Sequence, residues 1–182
     1  MNFRFKTPAY VFIFFSLLNA SLAKAEAWEI RLGLAPVFGT EFRSDLKQGL
    51  GAQAYFDLGI NDYVSIELAG GYVNHFMGQG TAYEIFDIGL GATFNLDVIA
   101  FGVGLAWVPF ATVRLGFLQS RADSLVIESG MGVALALGLD YVFDESFSVG
   151  IAFDYKGLVT NFNGLPAYLG ISLRLGLRWL DF

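Results

Sequence analysis

The feature that most constrains this chain is an alternation of apolar residues with small or polar ones, which recurs in segment after segment. In the clearest stretch, from Met131 to Tyr141, Met, Val, Leu and Tyr occupy the odd positions and Gly, Ala and Asp the even ones. A period of two places alternate side chains on opposite faces of a β-strand. Each strand therefore has one apolar face and one face of small or charged residues.

Turn-forming residues divide the chain into hairpins. Three tight turns are predicted, because Asn and Asp side chains bond nearby backbone: Asn61-Asp62, Asn95-Leu96-Asp97 and Asp144-Glu145-Ser146. The other four connections, near residues 38–48, 74–82, 118–124 and 157–166, are longer or looser. The predicted strands are Trp28–Val37, Gly49–Gly59, Tyr63–Val73, Tyr83–Phe94, Val98–Phe117, Leu125–Phe143, Phe147–Lys156 and Ala167–Leu180.

The composition of the second face indicates where the apolar face points. A β-face in water is rich in Lys, Glu and Thr, whereas the face opposite the apolar one is largely Gly and Ala here. Such a face suits the crowded interior of a narrow barrel. We therefore predict an all-β fold, an eight-stranded antiparallel up-and-down transmembrane β-barrel with its apolar face toward lipid. A soluble periplasmic barrel and a helical membrane protein are the alternatives, although Gly-rich alternation is poor helix material.

The N-terminal residues indicate export. Arg4 and Lys6 precede an apolar run over residues 9–18, and Ala23-Lys24-Ala25 fits an A-x-A cleavage site. We predict a signal peptide at residues 1–25 and the barrel at 26–182. Without the signal region the chain keeps eight basic against 17 acidic residues, a balance that argues against nucleic acid as a partner. The absence of Cys excludes disulfides and thiolate metal sites.

The C-terminal strand carries a resemblance to a known class. It reads Leu173-Arg-Leu-Gly-Leu-Arg-Trp-Leu-Asp-Phe182, and a closing strand with a terminal Phe resembles the assembly signal of outer-membrane barrels. The whole mature chain resembles the small OmpA/OmpX-like barrel class. That resemblance implies a Gram-negative outer membrane, contact with its lipid, and recognition of Phe182 by the assembly machinery. Trp179 is out of phase with Leu180 and Phe182, which predicts a bulge or strand end near Leu180.

Charged residues on the small-residue face are the candidates for the barrel interior. Because an unpaired interior charge is costly, we predict a salt-bridged plug in which Glu29, Asp57 and Glu67 pair with the arginines. A gated polar conduit is the alternative. The predicted lumen network is Glu29, Arg31, Asp57, Glu67, Asp87, Asp140, Asp154, Lys156, Arg174 and Arg178.

The inner face of the predicted fifth to seventh strands is almost entirely Gly and Ala. Two outcomes are open. Large residues of the opposite wall fill the space, or a cavity remains that would suit a small hydrophobic ligand or an acyl chain. The candidates for filling it are Arg31, Gln53, Tyr55, Glu67 and Arg174.

Aromatic residues tend toward the predicted strand ends. In membrane barrels, such residues form girdles at the two membrane–water interfaces. We predict this role for Trp28, Tyr72, Trp107, Tyr141, Tyr155 and Trp179.

The predicted fifth and sixth strands are unusually long. Their alternation continues past the length that the hydrocarbon requires. We predict that this hairpin projects outside the cell with residues 119–124 at its tip, where a sheet edge would accept a partner by strand addition. In the alternative, the upper part is a loop and Pro109 breaks the ladder.

Enzyme chemistry has little support in the sequence. The single histidine, His75, falls in the predicted loop after the third strand, with Glu84 across the hairpin. Ser129 or Ser172 would reach it only through the fold. One His and scattered carboxylates make a poor metal site, and the glycines form no phosphate loop.

We therefore predict a non-enzymatic integral outer-membrane barrel with a structural or surface-interaction role, and without a cofactor. It is expected to be a monomer whose loops contact an extracellular protein. The first alternative is a narrow channel or a binder of small hydrophobic molecules. The second is a lipid-modifying barrel enzyme that uses His75.

Overall fold

The computed structural model describes residues 30–41, 48–76, 82–101, 106–122, 125–144, 146–159 and 168–179. The predicted signal peptide, Trp28, Glu29 and Phe182 lie outside these residues. The backbone of Arg178 and Trp179 is described, but their side chains are not.

Eight antiparallel strands form a closed barrel in chain order, and the last strand pairs with the first. The predicted fold class is confirmed. The strands are β1 (Ile30–Glu41), β2 (Gly49–Asn61), β3 (Val64–Phe76), β4 (Ala82–Asn95), β5 (Trp107–Ala122), β6 (Leu125–Asp144), β7 (Phe147–Leu158) and β8 (Tyr168–Trp179), and one short helix, α1 (Leu96–Phe101), lies between β4 and β5.

The alternation sorts side chains between the two faces of the wall. On β1 and β6, Leu34 is 64% exposed and Leu137 is 62% exposed, whereas the inward-facing Tyr55 of β2 is 3% exposed. A continuous exposed band of this kind is unsuited to water, because monomeric soluble proteins rarely expose large apolar patches. The band is the lipid-facing wall of a membrane barrel.

The connections define two ends of the barrel. The turn end carries the β2–β3, β4–β5 and β6–β7 connections, and the loop end carries the other four. At the turn end, Asn61 Oδ1 accepts hydrogen bonds from the backbone N of Tyr63 at 2.8 Å and of Val64 at 2.9 Å. This bonding explains why Asn-Asp closes the hairpin tightly.

The predicted start of the fifth strand at Val98 and the tight turn over residues 95–97 are wrong. Residues 96–101 form α1, and β5 runs from Trp107 to Ala122. A short apolar run does not distinguish helix from strand by periodicity, and Asp97 in the first turn of α1 favours the helix. Among the described residues, no helix is both long enough and apolar enough to cross a membrane.

Pro109 lies inside β5 and does not break it. The β4–β5 ladder ends at the pair Asn95 and Phe110, so Pro109 has no β4 partner and is paired only with Leu139 of β6. A residue without an N–H is tolerated at such a one-sided position.

Candidate functional site

Charged side chains converge in the lumen. Eight of the ten predicted network residues have described side chains, and all eight belong to the inward row of their strands. Seven are buried and Asp87 is partly buried. Arg178 is the backbone partner of Arg31 across the β1–β8 seam. The eight are Arg31, Asp57, Glu67, Asp87, Asp140, Asp154, Lys156 and Arg174.

Arg174 is surrounded by carboxylates from three other strands. Its guanidinium nitrogens lie 3.7 Å from Asp57 Oδ2, 3.7 Å from Glu67 Oε2 and 3.8 Å from Asp140 Oδ1. Its side chain is buried, at 5% exposure. One cation therefore links β8 with β2, β3 and β6 across the barrel.

Two aromatic rings enclose the same guanidinium. Arg174 Cζ lies 4.1 Å from the ring centroid of Tyr55 and 4.4 Å from that of Phe110, within the range of cation–π attraction. Glycines on the neighbouring strands make room for both rings. A Cβ at Gly33 would overlap Tyr55, and a Cβ at Gly138 would overlap Phe110.

Arg114 is a network residue that the sequence analysis missed. Its Nη1 lies 2.9 Å from Glu67 Oε1 and its Nη2 lies 3.8 Å from Asp154 Oδ1. Glu67 therefore joins two arginines. The signal was available, because outward-facing Val113 and Leu115 place residue 114 in the inward row.

Hydroxyl groups satisfy further carboxylate oxygens of the network. Thr93 Oγ1 donates to Glu67 Oε2 at 3.2 Å and lies 2.8 Å from Thr112 Oγ1. Ser172 Oγ donates to Asp154 Oδ2 at 2.8 Å. Buried charges are stabilised by such additional hydrogen bonds.

Lys156 forms a second group of contacts, nearer the loop end. Its Nζ lies 2.7 Å from Asp87 Oδ1 and donates to Gln53 Oε1 at 3.0 Å. Gly71, the register partner of both Gln53 and Asp87, leaves room for the ammonium, since a Cβ there would lie 3.3 Å from Nζ. Lys156 therefore reaches across the lumen from β7 to β2 and β4.

An apolar cluster lies inside the barrel at the loop end. Its six members come from five strands and are all at most 5% exposed. They separate the Lys156 group from the loops. The cluster consists of Val37, Val73, Tyr83, Ile85, Leu118 and Leu158.

His75 does not lie in a loop, as the sequence analysis expected. It belongs to β3, is fully buried on the inward face, and its ring centroid lies 6.2 Å from that of Tyr83. Glu84 lies on the outward face, where its Oε1 accepts a hydrogen bond from Tyr72 OH at 3.0 Å. The two side chains therefore face opposite sides of the wall.

The inner face of β5 is not the bare surface that was predicted. The strand is displaced toward the C-terminus, so its inward row contains Phe110, Thr112, Arg114, Leu118 and Ser120. Phe110 covers Gly138 of β6, its register partner.

Little space remains beside the small residues of β5 and β6. A void of about 20 Å³ borders Gly116, Gly132 and Ala134, which is room for about one water molecule. A larger depression of about 980 Å³ lies against outward-facing side chains such as Leu137 and Phe153, and so belongs to the lipid-facing wall.

Aromatic side chains mark both ends of the outer wall. At the turn end, the ring centroids of Trp107 and Tyr141 are 4.7 Å apart, and those of Tyr141 and Phe143 are 4.8 Å apart. At the loop end, Tyr72 lies 4.8 Å from Phe86, and Tyr155 is partly buried on β7.

The β5–β6 hairpin extends beyond its neighbour β7 at the loop end. The β6–β7 register ends at Gly132 and Leu158, whereas β5 and β6 remain paired up to Ala122 and Leu125. One residue beyond the Gly132–Leu158 pair, Val159 N donates to Met131 O at 2.8 Å. We call residues 125–130 of β6, together with their partners on β5, the loop-end ribbon.

Metal chemistry finds no support in the described ranges. They contain no group of three or more His, Asp or Glu side chains that could hold a metal ion.

Comparison with known proteins gives structural matches only. No model of a known protein family matches this chain, and no curated protein matches it in sequence. Neisserial surface protein A superposes with a TM-score of 0.61 at 14% identity, over 83% of this chain and 95% of that one. The chain has the fold of a small outer-membrane β-barrel.

Two further solved structures agree. Ail, the attachment invasion locus protein of Yersinia pestis, matches with a TM-score of 0.56 at 12% identity, over 84% of this chain and 98% of that one. The outer membrane protein OprG from Pseudomonas aeruginosa matches with a TM-score of 0.54 at 13% identity, over 84% and 95%. This fold and the exposed apolar wall place the protein in the bacterial outer membrane, as predicted.

Proposed function

We propose that this protein is a non-enzymatic outer-membrane barrel with a plugged lumen, which presents the loop-end ribbon outside the cell as a contact element. The observation that carries the proposal is the excess length of β6 over β7. A spanning strand needs about 9–11 residues; β7 has 12 and β6 has 20.

The strand lengths support a position of the ribbon above the membrane. At about 3.3 Å per residue and a tilt near 45°, 20 residues rise about 47 Å and 12 residues about 28 Å, against about 30 Å of hydrocarbon. The side of the ribbon that faces β7 carries backbone groups with no β7 partner in the described ranges. An extended segment of another protein would pair with such an edge.

The contents of the lumen support a contact role over transport. Arg174 and Arg114 each bridge carboxylates on different strands. Lys156 links Asp87 of β4 to Gln53 of β2, and the apolar cluster lies nearer the loop end. A solute would have to displace both the ion-paired side chains and the apolar cluster. The burial of His75 away from Glu84 supports a non-enzymatic role.

Vesicles that contain the folded protein are expected to pass small ions and sugars no faster than protein-free vesicles. The reason is that ion-paired side chains occupy the lumen. The measurement is solute flux and single-channel conductance, with an open porin as positive control. A heat-dependent shift on an SDS gel confirms that the tested protein is folded. Reproducible conductance would contradict the plug and favour the channel alternative.

A cysteine placed at Ser129 is expected to react with a membrane-impermeant maleimide on intact cells. Ser129 is exposed on the outward face of the ribbon, and the chain has no native Cys. Leu137→Cys is the matched control, because residue 137 belongs to the same face of the same strand within the membrane span. It is expected to react only after detergent is added.

Protection of both positions would mean that the ribbon lies in the membrane. Labelling of Ser146→Cys at the turn end, instead of Ser129→Cys, would reverse the orientation. Either result would contradict the proposal that the ribbon lies outside the cell.

A further inference from the structure

The β4–β5 connection differs from the other connections at the turn end. The β2–β3 and β6–β7 hairpins close within two residues, whereas this connection covers residues 96–106. Its sequence, Leu-Asp-Val-Ile-Ala-Phe-Gly-Val-Gly-Leu-Ala, contains one charged residue, Asp97. An apolar connection of this length calls for a physical reason, because loops in contact with water are normally polar.

The neighbouring contacts place α1 at the rim of the wall. Asn95, just before α1, donates from its backbone N to Tyr63 O at 2.9 Å and from Nδ2 to Asp62 O at 3.0 Å. β4 ends there, while β5 continues toward the turn end through Trp107. α1 packs against β5 and directly follows the end of β4, so it lies at the turn-end rim.

The two sides of α1 differ in polarity. Asp97 is 1% exposed, whereas Ile99 is 52% exposed and Ala100 is also exposed. The only charge of the segment is therefore turned into the protein, and the described exposed side chains of α1 are uncharged.

This surface lies at the same end of the barrel as the exposed aromatic side chains of the turn end. The next strand residue along the chain, Trp107, is 56% exposed and contacts Tyr141. Exposed Trp and Tyr side chains of membrane barrels lie at the headgroup level. A short helix with an apolar exposed surface at that depth fits the interfacial layer of a bilayer.

We propose that α1 lies in the headgroup region of the leaflet at the turn end and binds its phospholipid surface through Ile99 and Ala100. The partner is the bilayer itself. Contact between α1 and the lipid would hold the turn-end rim of β5 at a defined depth.

The test uses the absence of native cysteine. Ile99→Cys carries an environment-sensitive nitrobenzoxadiazole dye, and the folded barrel is reconstituted in phosphatidylcholine vesicles. We expect a blue-shifted emission that nitroxide-labelled lipid quenches, more strongly with the nitroxide near the headgroup than deep in the acyl chain.

Two positions calibrate the measurement. Leu137→Cys, on the outer wall, should be quenched best by the deep nitroxide. Ser146→Cys, exposed in the β6–β7 turn, should emit at long wavelength and be quenched by aqueous iodide. Where Ile99→Cys fails to show the folded band on a gel, Ala100→Cys on the same helix gives the same measurement.

Two results would overturn the proposal. A dye at residue 99 that behaves like the dye at residue 146 would place α1 in water. A blue-shifted dye that lipid nitroxides do not quench would place α1 over the lumen mouth, covered by protein. Neither result bears on the ribbon, so the proposed function is tested separately.

Discussion

Replacement of Arg174 by methionine is expected to lower the free energy of unfolding by about 3–5 kcal/mol, because removal of one partner of a buried ion pair leaves the others uncompensated. Asp57, Glu67 and Asp140 all lie within 3.8 Å of its guanidinium. Methionine is close to arginine in length, so the rings of Tyr55 and Phe110 keep an apolar neighbour and the lost charge dominates.

The measurement is equilibrium urea unfolding in lipid vesicles, followed by tryptophan fluorescence, with the heat-dependent gel shift as a second measure of the folded fraction. The matched control is Arg121→Met. Arg121 is partly exposed near the loop end, where its Nε donates to Gln119 Oε1 at 3.0 Å. Its Cζ also lies 5.0 Å from the ring centroid of Phe86. A partly exposed cation–π contact contributes about 0.5–1 kcal/mol, so Arg121→Met should cost less than Arg174→Met.

Equal effects of the two substitutions would contradict a stabilising role for the lumen network. A more stable Arg174→Met protein would have the same meaning. It would show that the free-energy cost of desolvating the guanidinium exceeds the stabilisation from its carboxylate partners.

Replacement of Gly33 by alanine is expected to destabilise the barrel by about 1–3 kcal/mol, the usual effect of overpacking a close contact. The added Cβ would overlap the ring of Tyr55. That ring is also held against Arg174, so it cannot move without disturbing the ion pairs.

The measurement is the same unfolding experiment, extended to a double-mutant cycle with Tyr55→Ala. The double variant should be more stable than the sum of the single effects predicts, because the clash disappears with the ring. Gly70→Ala is the control. It faces outward, where a Cβ would meet Asp87 O at 3.5 Å, an ordinary contact, and its effect should stay within about 0.5 kcal/mol. Additive effects at Gly33 and Tyr55 would mean that the Tyr55 ring does not need the space left by the glycine.

The sequence alone predicts, for much of the candidate site, which side chains face the lumen and which face outward. The phase that places Val113 and Leu115 outward also places Arg114 inward, so the alternation alone predicts that Arg114 faces the lumen. The burial of His75 is different. It depends on β3 continuing to Phe76, and the ends of strands are set by pairing with neighbours rather than by local residues.

The start of β5 shows where periodicity fails. Residues 98–106 alternate between large and small residues as a strand does, yet the first four of them belong to α1. A run this short fits either structure, and the choice depends on where β4 ends and on what α1 contacts.

The sequence by itself determined the eight strands, the face on which most side chains lie and the barrel class of the sheet. These features follow from a period of two and from Asn or Asp turns, which are patterns within a few residues. Only the tertiary structure decided which charges meet. Lys156 and Gln53 are 103 residues apart in the chain, yet lie 3.0 Å apart across the lumen. Arg174 reaches β2, β3 and β6 at once. These contacts depend on barrel closure and on the stagger between strands, which set the height of each residue along the axis. No local pattern encodes that height.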